Sequence, residues 1–332
     1  MRLLIAGGSS FIGRAAALTA VARGCEVTVV NRGKTPSDLP SSVERLVGDR
    51  QGDLSVLSGR TFDATIDTIA FRPGDVMRLA AAIGDRGGHH VQVSSVSAYA
   101  DPDHEGATED AALWPAASVD PDAALTGATY GPLKADSERA ALQYFGTGTT
   151  IVRPTYVIGG HDATLRFPYW VARARKGGTI AVPGPRGAPM QYVDARDLGA
   201  FLVALVTSGT SGAFTAAGPW PAARFVDTVE QVVRHVGPPG TEVVEVAPDV
   251  VERARLGTRF PLWSEGHASE NALAMDPSKA LAAGLTLRPL ADSVDDVVEW
   301  WGDRPWPDHW LAEDAERALL AEAGTTSHGS NR

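Results

Sequence analysis

The chain has 332 residues, with 30 Lys plus Arg against 40 Asp plus Glu and a formal net charge of −10. That length allows one large domain or two modest ones with ample core, and an acidic balance without a basic stripe excludes nucleic acid as a main partner. The single cysteine, Cys25, excludes an internal disulfide framework and suits a reducing compartment.

Arg2-Leu-Leu-Ile-Ala6 reads as a short buried strand, Gly7-Gly-Ser-Ser-Phe-Ile-Gly13 as a glycine turn, and Phe11 to Arg23 as a helix. Because Met1 leads straight into that strand and no apolar run approaches the ~20 residues of a membrane helix, a soluble cytoplasmic protein is expected. Glu26–Val30, Val43–Val47, Ala64–Asp67, His90–Ser94 and Thr150–Arg153 follow as strands, with helices over Asp75–Ile83 and around Tyr130. Such alternation predicts parallel strands with helical crossovers, hence a doubly wound (Rossmann) α/β sheet whose ligands bind beyond the strands' carboxyl ends. Between residues 101 and 129 the chain is acidic and rich in Ala, Pro and Gly. A loop this long inside a domain is often functional, and it leads into Tyr130. Past Pro154 the pattern becomes helical with many breaks. Helices are expected over 194–206, 222–235, 277–283 and 311–323, and residues 324–332 as a frayed tail.

A strand, a glycine turn and a helix N-terminus form an anion site, since free N–H groups and the helix dipole converge there. Gly7, Ser9, Ser10, Phe11, Ile12, Gly13 and Arg14 are therefore expected to hold a dinucleotide. Many NAD-binding folds place an acid after strand two to hold the adenosine ribose. Here Asn31 and Arg32 stand there, with Lys34 close by. A guanidinium can clamp a 2′-phosphate at two points, so NADP(H) is preferred, with NAD(H) also admissible. Asp49 and Arg50 after strand three, Thr68 and Ile69 after strand four, and Pro154 after strand six complete the expected cofactor shell.

Tyr130 and Lys134, four apart, share one helix face. A free phenol, with a pKa of about 10, is a poor base at neutral pH. An ammonium one turn away stabilises the phenolate and can also bind the nicotinamide ribose. Ser94-Ser95-Val96-Ser97 ends strand five, where a hydroxyl could hold the substrate oxygen.

Gly7-x-x-Ser10-x-x-Gly13, Ser94-Ser-Val-Ser-Ala-Tyr99, Tyr130-x-x-x-Lys134, Arg153-Pro154 and Tyr192-Val-Asp-Ala-Arg-Asp197 together resemble the short-chain dehydrogenase/reductases, and specifically their extended branch, the NAD-dependent epimerase/dehydratase family. The likeness covers about the first 210 residues. It implies Tyr130 as acid/base, Lys134 as its partner and cofactor ligand, and Ser95 as the substrate-oxygen hydroxyl. It further implies a smaller, mostly helical C-terminal substrate domain and a homodimer formed through helices flanking the sheet. The expected division is 1–155, joined by 188–216, as the Rossmann domain, with 156–187 and 217–323 binding substrate. Two departures stand out: the middle glycine of the turn is Ser10, and Val96-Ser97 replaces the acidic pair of sugar-nucleotide 4,6-dehydratases.

The leading expectation is an NADPH-dependent reductase acting on a ketone of a small polar or glycosylated metabolite. An epimerase of a sugar or nucleotide sugar with tightly bound NAD(P) is the alternative, and a non-catalytic dinucleotide sensor a second one. Candidate substrate contacts are Ser97, His161, Arg166, Arg186 and Gln191. No ligands accompany His161-Asp162 at suitable spacing, so no metal is assigned. The tryptophans at 300, 301, 306 and 310 could roof a pocket, but such clusters more often pack a helix onto a core.

Overall fold

A computed structural model describes residues 1–101, 104–263 and 273–329. They divide into two compact units: one of Met1–Val157, Tyr192–Trp220 and Asn271–Leu287, the other of Ile158–Gln191, Pro221–Glu270 and Arg288–Arg332.

In the first unit β1 (Arg2–Ala6), β2 (Glu26–Asn31), β3 (Glu44–Val47), β4 (Ala64–Asp67), β5 (His89–Val93) and β6 (Thr150–Pro154) form one sheet with a later strand from residues 212–216. All its pairs are parallel. The crossovers run through α1 (Phe11–Ala22), α2 (Pro73–Ile83) and α3 (Gly127–Phe145). β7 (Tyr156–Ile158) leaves the sheet toward α4 (Arg166–Lys176), β8 (Thr179–Pro183) and β9 (Pro189–Met190). The chain returns by β10 (Tyr192–Asp194), α5 (Ala195–Ser208) and the seventh strand, β11 (Gly212–Ala216). The order is β11-β6-β5-β4-β1-β2-β3, so the direction of progression reverses between β1 and β4. That reversal opens the crevice in which doubly wound folds bind ligands.

Strand residues alternate in burial partners, as a pleated sheet requires. Leu3, Ile5, Val27, Val29, Ile66, Val91 and Val152 pack with Ala15, Ala16, Leu198 and Leu202 in a large apolar core on the α1/α5 side. α5 approaches α1 at Gly199, where an added Cβ would lie 2.6 Å from the backbone nitrogen of Ala16. The opposite side carries smaller apolar clusters and most of the sheet's buried polar residues.

The second unit holds β12 (Ala223–Arg224), α6 (Phe225–Val236), β13 (Glu242–Val246), α7 (Pro248–Arg253), α9 (Leu290–Trp301) and α10 (Glu313–Gly329), while α8 (Ser278–Ala282) belongs to the first. β13 pairs with β8 in parallel, and β12 with β9 antiparallel. Tyr169 and Trp170 of α4 are fully buried among Trp310, Phe225 and Phe260. Trp301 stacks on Trp310 at 5.0 Å. The tryptophan cluster thus packs the core of this unit. Arg173 on α4 donates to Glu316 on α10 at 2.8 Å, and Glu316 also accepts from the N–H of Ala181.

Three sequence expectations change. Residues 273–287, assigned to the C-terminal part, cluster with the sheet: Ala280 and Leu285 are buried in the α1/α5 core. The final helix does not stop at Ala323 but runs to Gly329, and residues 330–332 lie outside the described residues. Six sheet strands were expected and seven form, because β11 pairs along β6. Among the described residues no helix is long and apolar enough to cross a membrane.

Candidate active site

Gly7 adopts φ +92°, a left-handed conformation that favours glycine. A Cβ there would also lie 2.5 Å from Thr68 Oγ1 and from Ile69 Cγ2. Thr68 Oγ1 donates to the carbonyl of Ala6 at 2.9 Å, tying the loop after β4 to the end of β1. At Gly13 a Cβ would run into the carbonyl of Gly7, so the turn closes only with glycine at both ends. Ser10 precedes α1 in extended conformation without capping the helix through its side chain, and no acid occupies the first turn. Those N–H groups and the positive end of the dipole are left for an anion. This backbone cradle at the β1/β4 reversal fits the diphosphate of a dinucleotide.

At the end of β2, Asn31 Oδ1 accepts from the N–H of Gly33 at 2.8 Å. Arg32 and Lys34 are exposed. Arg14 is engaged at two points by Asp38. Asp49 is exposed, its Oδ1 accepting from the N–H of Gln51 in a turn. Arg50 turns inward and donates to Asp67 Oδ2 at 2.7 Å, in a pair exposed by only 8% and 0%. That pair belongs to the floor of the crevice, beneath Ile69, whose N–H reaches Asp67 Oδ1 at 3.0 Å.

α3 begins with a reciprocal cap in which Thr126 and Thr129 exchange side-chain and backbone bonds. One turn later Tyr130 is half-buried and Gly131 meets the turn that ends β5. A Cβ on Gly131 would strike the carbonyl of Ser97, which accepts from Trp114 Nε1 at 3.1 Å. Glycine here lets the Tyr130 turn approach the Ser95–Ser97 turn closely. In that turn Ser95 Oγ accepts from the N–H of Ser97 at 3.1 Å and donates to Ser97 Oγ at 3.2 Å. Ser95 is buried and Ser97 exposed.

Lys134 fixes the same helix from below. Its Nζ donates to the carbonyls of Val93 at 2.7 Å and Ala70 at 2.8 Å, spanning the ends of β5 and β4. An ammonium has three protons, so one donor remains. Burial pushes the Lys134 pKa down to about 8, against the carboxylates of Asp67, Glu138 and Asp75, which hold it up. The ammonium thus persists at neutral pH. One turn beyond, Glu138 receives Arg153 from β6 at 2.7 Å. Arg153 also donates to Tyr99 Oη at 3.0 Å, and Tyr99 Oη shares a 2.8 Å bond with Thr215 Oγ1. Tyr130, Lys134 and Glu138 stand at i, i+4 and i+8 on α3, so the spacing that marked the first two could have marked the third. Gly131, Asp67 and Asp38 left no comparable signal.

The expected substrate residues other than Ser97 lie in the second unit. His161, at φ +62°, stands 5.5 Å from the ring of Trp300. Arg166 Nε donates to Thr164 Oγ1. Arg186 is tied to Asp227, Glu230 and Glu245 on the surface. Gln191 is fully buried.

The model of the NAD dependent epimerase/dehydratase family matches residues 3–216. No curated protein sequence matches the chain. Among solved structures it is similar to UDP-N-acetylglucosamine 4-epimerase from Bacillus cereus, at 17% identity and a TM-score of 0.67 over 94% of this chain and 100% of that one. WbmH from Bordetella bronchiseptica, in complex with NAD+, matches at 19% identity and 0.66 over 91% and 98%. UDP-glucuronic acid 4-epimerase from Bacillus cereus, in complex with NAD, matches at 17% and 0.64 over 92% and 100%. At these identities the likeness establishes the fold.

Proposed function

Since the chain belongs to the NAD-dependent epimerase/dehydratase family and is an enzyme of the short-chain dehydrogenase/reductase type, we propose that it epimerises a secondary alcohol of a sugar or nucleotide sugar. The observation that carries this reading is the junction at the carboxyl end of β5. Gly131 brings the Tyr130 turn onto Ser97, and Lys134 locks the same helix to Val93 and Ala70. The names of the similar structures, two of them 4-epimerases of UDP-sugars, support the substrate class.

A bound nicotinamide supplies the hydride chemistry. Tyr130 Oη takes the alcohol proton as the carbinol carbon is oxidised, and returns it when that carbon is reduced from its other face. Ser95 Oγ hydrogen-bonds the same substrate oxygen and holds it beside the phenol. The Lys134 ammonium stabilises the phenolate and offers its remaining donor to the nicotinamide ribose. Gly7, Gly13 and the N–H groups of α1 hold the diphosphate.

A second reading, an NADPH-dependent ketone reductase, is favoured by one observation: the end of β2 bears Asn31 and Arg32 in place of an acid. One experiment separates the two. The purified protein is given UDP-sugars, and separately NADPH with ketones, while epimer ratio and nicotinamide absorbance are followed. Epimer interconversion without net dinucleotide turnover is expected, whereas ketone-dependent loss of NADPH would replace it by the second reading. Tyr130→Phe should lower the rate by about 10²–10⁴, as removal of a general acid/base does, and wild-type turnover in that variant would remove the tyrosine's role.

A further inference from the structure

The acid missing from the end of β2 reappears further along the same loop. Asp38 engages Arg14, on the first turn of α1, through two bonds: Nε to Oδ1 at 2.7 Å and Nη2 to Oδ2 at 2.7 Å. Arg14 is 22% exposed and Asp38 56%, so the pair lies at the surface with the guanidinium shielded and the carboxylate half in solvent. This two-point fork is the one a 2′-phosphate would use, and a carboxylate already fills it. Nearby Arg32 and Lys34 make no ion pair among the described residues.

The geometry points to Asp38 as the residue that discriminates between the two dinucleotides, by holding Arg14 away from a 2′-phosphate. To recruit Arg14, a phosphate must break both bonds and bring a second anion beside the Asp38 carboxylate, and like charges a few ångströms apart repel. NAD(H) carries only hydroxyls at that position and meets neither cost. Arg32 and Lys34 still attract the phosphate, so the pair sets the ratio of affinities and does not bar NADP(H). The inference rests on the dinucleotide site proposed above and is independent of whether the enzyme epimerises or reduces.

The test is direct binding of NADH and NADPH by titration calorimetry to the wild-type chain, to Asp38→Ala, and to Asp38→Ala combined with Arg14→Ala. Both residues are on the surface, and a thermal melt of each variant verifies folding. Asp38→Ala should raise affinity for NADPH about tenfold relative to NADH, the order expected for one freed charge-assisted contact. Adding Arg14→Ala should abolish that gain. A ratio unchanged within about twofold, or a gain that survives loss of Arg14, overturns the role of Asp38 while leaving the dinucleotide site standing. Failure of the wild-type chain to bind either dinucleotide overturns both.

Discussion

Alternate residues of the same strands build two different faces of the sheet. Toward α1 and α5 the strands present Leu3, Ile5, Val27, Val29, Ile66, Val91, Val93 and Val152, an apolar surface packed on the alanines of α1. Toward α2 and α3 the neighbouring positions mix the apolar Leu4, Ala6, Val30 and Ile151 with Thr65, Asp67, His90, Gln92 and Arg153, all buried. The first face follows the ordinary rule for a parallel sheet covered on both sides. The second breaks it where the proposed chemistry stands, for α3 carries Tyr130 and Lys134. Apolar packing is non-directional, whereas bonds from Lys134 to Val93 and from Arg153 to Glu138 fix one register of the helix against the strands. The apolar face supplies stability, and the polar face supplies position.

The largest effect expected from breaking this contrast is at Glu138. Glu138→Ala leaves the Arg153 guanidinium, which is only 6% exposed, without its carboxylate. Uncompensated buried charge costs about 3–5 kcal/mol. Leu198→Ala, in the opposite core, should cost a comparable ~2–5 kcal/mol through lost burial and a cavity. The two should part in turnover per folded molecule, measured below the onset of urea unfolding: reduced in Glu138→Ala, unchanged in Leu198→Ala. Equal turnover in both would deny the polar face its positioning role.

A smaller effect sharpens the same contrast with two matched substitutions. Gly199→Ala pushes α5 against the backbone of α1, and Gly131→Ala pushes α3 against the carbonyl of Ser97. Overpacking costs about 1–3 kcal/mol at each, offset by the roughly 1 kcal/mol that alanine gains over glycine inside a helix. Both variants should therefore lose modest stability in urea titrations. Only Gly131→Ala should lose activity, because it displaces the turn that carries Tyr130. Full activity in Gly131→Ala would show that the close approach at Ser97 is not required.

Much of the first unit was legible because its signals are local. The Gly7–Gly13 turn, the Tyr130–Lys134 spacing and the serines after β5 each lie within one element or one turn, where sequence distance fixes spatial distance. The pairs that tune those residues were not legible. Arg14 meets Asp38 across a loop, Arg50 meets Asp67 between two strand ends, and Gly131 owes its identity to a carbonyl far away in sequence. β11 escaped notice for a similar reason: Gly-Ala-Phe-Thr-Ala has little intrinsic strand character and becomes a strand by pairing with β6. In the second unit Pro and Gly interrupt the periodicity, hiding the β8–β13 pair. Tyr169 and Trp170, inside one of these interrupted stretches, lie in the core of that unit.

The smallest effect at neutral pH, and the most specific, is expected at His90. Its ring is buried, stacks on Phe145 at 3.9 Å and 9°, and neither nitrogen meets a hydrogen-bond partner of good geometry among the described residues. Burial pulls its pKa down to about 4; Asp67 opposes the shift, while Arg50 and His89 add to it. An unfolded histidine titrates near 6.5, so between about 6.5 and 4 the unfolded chain binds the extra proton. Stability must therefore fall as pH drops through that window, at up to about 1.4 kcal/mol per pH unit and roughly 3 kcal/mol in all. His90→Leu removes the titration. At pH 7 it exchanges a buried neutral imidazole for an apolar side chain, a change expected to stay within about 1 kcal/mol. At pH 4.5 the variant should be the more stable chain in urea unfolding, and the gap should close again near neutrality. A gap of the same size at both pH values would mean that this imidazole titrates alike in the folded and unfolded chains, and that its burial does not make the polar face sensitive to acid.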